Sequence, residues 1–575
     1  MPGHTKGSPG PGKAIAKGAL VLGAAAVVSK LLGTLQKIPL QNVAGDNVFG
    51  IYNAVYPLYI LIMFVATAGF PIAVSRFVAE ERANGRPDGA LGVLRMALAL
   101  SVGTGLVCFG LLYFGAGTIA SWIGNRQTEA ALRSVSFALL FVPVMASLRG
   151  YFQGLGDMIP TGVSQVAEQF ARVAVMVALL VALVRAGASD ASIAAGATFG
   201  SAAGAFAGLL VMAGYWAAHR RRSGGRPSAA ADAGASRRAN RGVGYRAFIG
   251  YALPICLGSI VLPMLTLADT FTMPRLLVRS GLDEAGAMTQ FGLYNHGLPL
   301  VQLVAMVASS MSVALVPALS HARATGTLAS VRRSAEASLR IAWLIGLAAS
   351  AGMAVAAIPL NVMFFASPAG YEAMTILAFT AVFSVVQIVT SALLQGLGAE
   401  RATAVHLLVA AAVKVGLNLL LMPLWGIEGA AVAAVAAYAA AAGLNVVRLR
   451  RYGFARLGWR EYGVKPAVCT LAMAAVAAAV LFAADRLAIV VAPDMPYRLR
   501  QTIAALLAVA AGALAFALLL FRAGLVRAEE LAAVPKLGAK LLPPLRKWRI
   551  LPHQGGTTCP QPLPSSDSAP ETKTN

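Results

Sequence analysis

Phe49-Gly50-Ile51-Tyr52-Asn53, followed by the pair Pro57-Leu58, returns later in the chain as Phe291-Gly292-Leu293-Tyr294-Asn295, followed by Pro299-Leu300. The copies stand 242 residues apart, as do Gln153-Gly154-Leu155-Gly156 and Gln395-Gly396-Leu397-Gly398, and the cations Arg172 and Lys414. Three features in one register mark an internal repeat. The sequence around them is apolar: of 575 residues 58% are hydrophobic and 12% charged, with a mean hydropathy of +0.71. Soluble domains carry about 25% charged residues, so this much apolar surface requires lipid as its solvent. Windows of about 20 apolar residues place spans near 15–38, 48–75, 94–114, 133–153, 160–184, 191–218, 247–274, 291–320, 340–358, 373–395, 402–422, 427–447, 466–484 and 501–521. Six spans separate the repeat copies, an even number, so the halves point the same way across the membrane. The expected fold is an all-α polytopic membrane protein of about 14 transmembrane helices, two six-helix lobes in parallel pseudo-repeat plus two C-terminal helices.

Lys+Arg total 47 against 23 Asp+Glu, a net charge of +24. In a soluble chain that balance points to nucleic acid, but in a membrane chain it orients the spans. With the N-terminus inside, 34 basic residues fall in cytoplasmic segments and 8 in outer loops. Both termini are therefore expected in the cytoplasm, and nucleic acid is not expected as a partner. The first apolar run, from Ala14, contains lysine and lacks a cleavage site, and reads as a retained span. The expected organisation is an N-terminus (1–13), a first lobe (14–218), a flexible basic linker (219–246), a second lobe (247–447), two further spans with their loops (448–525) and a tail (526–575) that ends in disorder. Cys108, Cys256, Cys469 and Cys559 lie far apart and suggest neither a disulfide scaffold nor a zinc site.

Charges within spans are candidates for function because lipid makes them costly. Lys30, Thr34, Lys37 and Gln41 recur on one face of the first helix. Lys30 lies 13 residues past Lys17, about 20 Å along a helix, where it faces water or a partner; the alternative is that Lys30 and Lys37 snorkel to the outer interface. Glu168 and Arg172 have helical ion-pair spacing. Lys414 repeats Arg172, but Ala410 stands where Glu168 would be, leaving a cation without a local partner and a candidate anion site. Asp269 lies in a span interrupted by Pro254, Pro263 and Pro274 and reads either as an ion-pair or coupling group or as an outer-end cap. Arg149 reads as an anchor near the cytoplasmic face, His296 and His406 as satisfied polar residues, and Asn53 and Asn295 as caps for free backbone amides. No phosphate-binding Gly-rich loop or His-Glu-x-x-His pair is present. No catalytic residue, metal or cofactor is expected, and the chain is not expected to be an enzyme.

Ser29-Lys30-Leu31-Leu32-Gly33, the first Phe-Gly motif, Ala68-Gly69-Phe70-Pro71-Ile72-Ala73-Val74-Ser75-Arg76, Tyr151-Phe152-Gln153-Gly154 and Glu168-Gln169-Phe170-Ala171-Arg172 together resemble the polysaccharide-transporter branch of the MATE-like (MOP) flippase superfamily. Within it the likeness is to the stage V sporulation protein B and Gram-positive lipid II flippase families, over residues 14 to 525. The resemblance implies a two-lobed flippase of the bacterial cytoplasmic membrane that carries an undecaprenyl-diphosphate-linked saccharide outward by alternating access. Its implied partners are the lipid-linked anionic saccharide, membrane lipids and wall-synthesis proteins. It also implies a cationic cavity on the first, second and eighth helices. Lys30 matches the first-helix position, whereas Val55 to Ser75 and Leu298 to Ser320 contain no Lys or Arg. Two other readings stay open: a cation-coupled multidrug antiporter using Glu168 or Asp269, and a membrane scaffold in wall or spore assembly.

Overall fold

The computed structural model describes residues 11–67, 69–223, 244–261, 263–325, 328–454 and 460–525, and the described residues contain helices and no strands. Most of the basic linker, the first ten residues and the tail from 526 lie outside them. The first half comprises α1 (Pro11–Leu35), α2 (Lys37–Thr67), α3 (Phe70–Ala83), α4 (Pro87–Ile123), α5 (Thr128–Ser136), α6 (Ala138–Gly154), α7 (Ile159–Arg185) and α8 (Asp190–Ser223). The second comprises α9 (Tyr245–Ile260), α10 (Met264–Arg279), α11 (Glu284–Tyr294), α12 (Gly297–Ala324), α13 (Leu328–Val355), α14 (Ala357–Phe365), α15 (Tyr371–Ala378), α16 (Thr380–Gly396) and α17 (Glu400–Arg451). Then follow a π-helical turn (Arg460–Val464), α18 (Lys465–Val491) and α19 (Tyr497–Arg522). The repeat register survives folding: α6 begins at 138 and ends at 154, α16 begins at 380 and ends at 396, an offset of 242 at both ends.

Eleven helical stretches are long and apolar enough to cross a bilayer among the described residues, against fourteen expected spans. Geometry reconciles the numbers. Val21–Ala83 and Glu400–Arg451 are too long to cross once and each holds two of the expected spans. They fold back at glycines whose backbone leaves the helix, Gly45 (φ 81°, ψ 179°) and Gly426 (φ 54°, ψ −132°), conformations open to glycine because it has no Cβ. The span expected at 247–274 is split around Pro263 into α9 and α10, each of 16 residues.

The halves meet through the repeated motif itself. α2 and α11 cross where Gly50 lies on the backbone of Met288 and Gly292 on that of Asp46, and a Cβ at either glycine would overlap the opposing carbonyl oxygen. Gly50–Met288 and Gly292–Asp46 are the same contact exchanged between repeats, so the crossing marks the pseudo-two-fold axis. The face of the bundle where α1 begins is termed proximal, and the face holding the Gly45 turn distal.

Candidate functional site

A cavity of about 740 Å³ lies between the halves. α1 supplies Ser29, Lys30, Gly33, Thr34 and the adjoining Lys37; α2 supplies Asn53, Tyr56 and Phe64; α7 supplies Gln165 and Gln169. From the second half come Thr266, Asp269, Phe291, Asn295 and Gln302. Lys30 is exposed in the cavity, and its ammonium makes no hydrogen bond among the described residues. Thr34 is turned back onto the Lys30 carbonyl at 2.9 Å.

Lys37 does not snorkel. The first crossing runs beyond its expected end at 38 to the Gly45 turn, which places Lys37 and Asn53 eight residues before and after that turn, about 12 Å below it. Lys37 is buried and donates to Asn53 Oδ1 at 2.9 Å, leaving two of its three N–H donors for a ligand. The Asn53 and Asn295 amides donate to the carbonyls of Phe49 and Phe291, at 2.8 and 2.7 Å, and so do not cap amides as expected. A side chain four residues on reaches the carbonyl of a continuing helix more easily than an amide ahead of it. Gln41 leaves the polar stripe: beyond the turn at Gln36 it bonds Asp46 at 2.9 Å and is absent from the cavity wall.

The cation at 172 is held within the first half. Arg172 donates to Glu168 Oε1 and Arg149 to Glu168 Oε2, each at 2.9 Å, while Arg149 also reaches Ser164 at 2.8 Å and Arg172 the Tyr56 hydroxyl at 3.4 Å. Arg149 is thus an internal ion-pair member and not an interfacial anchor. α7 is seated by glycines at every fourth position of α8: a Cβ at Gly200 would stand 2.7 Å from the Arg172 carbonyl oxygen, and one at Gly204 2.6 Å from that of Glu168. Gly196, Gly200, Gly204 and Gly208 form one small-residue stripe, a pattern visible in sequence that brings membrane helices into backbone contact.

Lys414 is not the unpartnered cation its local sequence suggests. Its ammonium donates to Asp269 Oδ2 at 2.6 Å and to the Leu265 carbonyl at 3.0 Å, both on α10. Asp269 also accepts from the Tyr294 hydroxyl at 3.0 Å and from Asn418 Nδ2 at 3.2 Å, so it is a buried junction of α10, α11 and α17, not an end cap. Lys414 lies behind Asp269 and outside the cavity wall. Among the described residues Lys30 and Lys37 are therefore the cations of the wall, and its one acid, Asp269, is already answered from behind. Gln169, which sequence reasoning passed over, is buried in that wall with no hydrogen-bond partner for its Nε2. A donor left unsatisfied costs free energy until a ligand accepts from it. The described residues hold no cluster with the makings of a metal site.

Residues 15–323 match the family described as polysaccharide biosynthesis protein. Over 531 residues the chain is 32% identical to the uncharacterized membrane protein YabM of Bacillus subtilis (strain 168), covering 91% of this chain and 95% of that one. The chain belongs to the polysaccharide biosynthesis protein family. Two further relatives of this family member, from the same organism, are lipid II flippase MurJ, 25% identical over 72% of this chain and 78% of that one, and stage V sporulation protein B, 25% identical over 92% and 98%. Among solved structures, the fold is similar to that of lipid II flippase MurJ in an inward closed conformation (TM-score 0.59, 12% identity, 88% of this chain and all of that one). It is likewise similar to an inward-facing multidrug resistance MATE family transporter of the MOP superfamily (TM-score 0.59, 16% identity, 74% and 95%). This polysaccharide biosynthesis family protein is a multi-pass membrane protein with the fold of MOP-superfamily transporters.

Proposed function

We propose that the protein is a flippase that translocates an undecaprenyl-diphosphate-linked saccharide, lipid II or a polysaccharide precursor, by alternating access of the cavity between its halves. The carrying observation is the unequal wall of that cavity: Lys30 free, Lys37 with two spare donors, Gln169 Nε2 unsatisfied, and the one acid neutralised by Lys414. Such a wall suits an anion, because ammonium groups form strong charge-assisted bonds to phosphate, while carboxamides at Gln165, Gln169 and Gln302 offer donors and acceptors to sugar hydroxyls. An apolar cleft of about 470 Å³ between α13, α18 and α19 suits the isoprenoid tail.

The distribution of basic residues assigns the proximal face to the cytoplasm, so loading from that side moves cargo outward. Export of negative charge from a negative interior gains about 2.3 kcal/mol per charge per 100 mV. A cationic drug would need an available carboxylate, and Asp269 and Glu168 are both covered by cations. The test is transbilayer movement of a lipid-linked diphosphate saccharide in vesicles reconstituted with the full chain. Movement that falls in Lys30→Ala and Lys37→Ala is expected; undiminished movement in both variants would remove the cationic wall from the mechanism.

A further inference from the structure

His296 stands between α11 and α12 and is fully buried, its ring stacked on Phe365 at 4.1 Å and 11°. Each ring nitrogen has a partner. Nδ1 lies 2.8 Å from Asn361 Oδ1 and Nε2 lies 2.8 Å from Asp46 Oδ1. The protons can be assigned by elimination. Asn361 Nδ2 donates to the Ala369 carbonyl at 2.7 Å, so the oxygen of that amide faces the ring, and Nδ1 must be the donor. A neutral imidazole with its hydrogen on Nδ1 has only a lone pair at Nε2, and an ionised carboxylate can only accept. The 2.8 Å contact therefore requires one proton more than neutral imidazole and carboxylate supply, carried on Nε2 or on Asp46.

This contact joins the halves. Asp46 belongs to α2 beside the Gly45 turn, and His296 follows the second Phe-Gly motif beside the end of α14. It sits next to the Gly292–Asp46 backbone contact, on the distal side of the cavity wall formed by Asn53, Phe291 and Asn295. Other distal ties between the halves run through Asn42 to the Phe364 carbonyl (2.6 Å), Asn125 to the Glu284 carbonyl (2.7 Å) and Arg275 to the Ser121 carbonyl (3.0 Å); these need no added proton.

We propose that His296 and Asp46 form a proton-binding latch that holds the distal ends of the two halves together, and that loss of its proton releases them. The proton leaves to water at Asp46, whose side chain is 18% exposed. Nδ1 keeps its hydrogen on Asn361, and the Nε2 lone pair is left facing the carboxylate. Two acceptors at that distance repel, and the stacked ring has no room to turn aside. The charged groups on the surrounding elements are engaged elsewhere or exposed: Lys37 on Asn53, Asp269 with Lys414, Glu284 on the Arg126 amide, Asp190 with Asn47, Arg498 on the Met363 carbonyl, and Glu372 exposed at the head of α15. Among the described residues only Gln41 shares the Asp46 carboxylate with His296, at 2.9 Å. Distal acidity therefore favours the closed distal end, the form whose cavity loads from the proximal side.

The test needs no cargo, so its outcome is separate from that of the flippase reading. Spin labels at the exposed distal positions Ala186 and Leu424, with the native cysteines replaced by serine, report the distance between halves in the full chain in nanodiscs. In the otherwise wild-type chain a longer-distance population is expected to grow from pH 5.5 to pH 8.5. One linked proton allows the closed-to-open ratio to fall by up to about tenfold per pH unit. Asp46→Asn should stay closed at both pH values, because a carboxamide N–H donates to neutral Nε2 without an added proton. His296→Phe should stay open at both. A distance insensitive to pH in the wild-type background, or an Asp46→Asn chain that keeps the wild-type pH response, overturns the proposal even if His296→Phe does not fold.

Discussion

At 172 in the first half and 414 in the second the repeat carries a cation, and the acid that answers it comes from different places. Arg172 finds Glu168 one turn back on its own helix, and Arg149 joins them from α6. Lys414, with Ala410 one turn back, takes Asp269 from α10. The displacement propagates into the cavity. On α1 the first half presents Lys30, with Val27 standing at the position that Asp269 holds on α10, so the wall is cationic on one side and neutralised on the other. A duplicated backbone preserves where helices run; it leaves charge free to migrate among helices that already touch. The asymmetry lets one cavity contain both cations free of acidic partners and a buried polar junction.

The largest expected effect breaks the comparison at its two acids and cations. Lys414→Met should cost about 3–5 kcal/mol, because it leaves Asp269 buried and uncompensated. Adding Asp269→Leu should recover much of that loss, as measured by thermal or denaturant unfolding in detergent. Glu168→Gln, which strands two guanidinium groups, should cost at least as much, and a chain indifferent to it would show that the first-half column is not buried in the sense described. Next is Lys30→Ala, which touches no internal partner: stability should hold while cargo affinity falls about ten- to a hundredfold, the worth of a hydrogen bond to a charged group. A stability loss without an affinity loss would reverse the roles assigned to the two halves.

The shared crossing supplies a smaller effect. Gly50→Ala and Gly292→Ala insert a methyl group into equivalent contacts and should each cost about 1–3 kcal/mol by overpacking. Because the contacts are exchanged by the pseudo-symmetry, similar values are expected, and a large inequality would locate where the axis fails. Smallest is a repeat-equivalent helix end: Gly124 has φ 88° and Ala366, 242 residues on, has φ 56°. A left-handed conformation costs a residue with a Cβ about 1–2 kcal/mol, so Ala366→Gly should stabilise the chain by roughly 1 kcal/mol or less.

Much of this architecture was legible in the residues. Hydropathy located the crossings, the 242-residue offset set the pairing of helices, and the four-residue spacing of Glu168 and Arg172 brought their side chains together, since helical neighbours are a local matter. The glycines of α8 were equally legible but were passed over in favour of charged residues. What failed was the inference drawn from the missing acid beside Lys414. Lys414 looked alone because its partner is 145 residues away, whereas His296, read as a satisfied polar residue, is satisfied, in part by an Asp46 that lies 250 residues away in the chain. The alternative that Lys37 snorkels to the interface fell because glycine breaks a helix by backbone freedom that hydropathy does not register, carrying the crossing past its expected end.

A membrane solvent, two tandem bundles and the inventory of intramembrane charge follow from the residues alone, because periodicity and composition act over one helical turn or one bilayer thickness. Which charges neutralise one another and which stay unpaired follows from the packing of the helices. Those pairings act through space at about 3 Å between helices far apart in the chain, and nothing in local spacing encodes them.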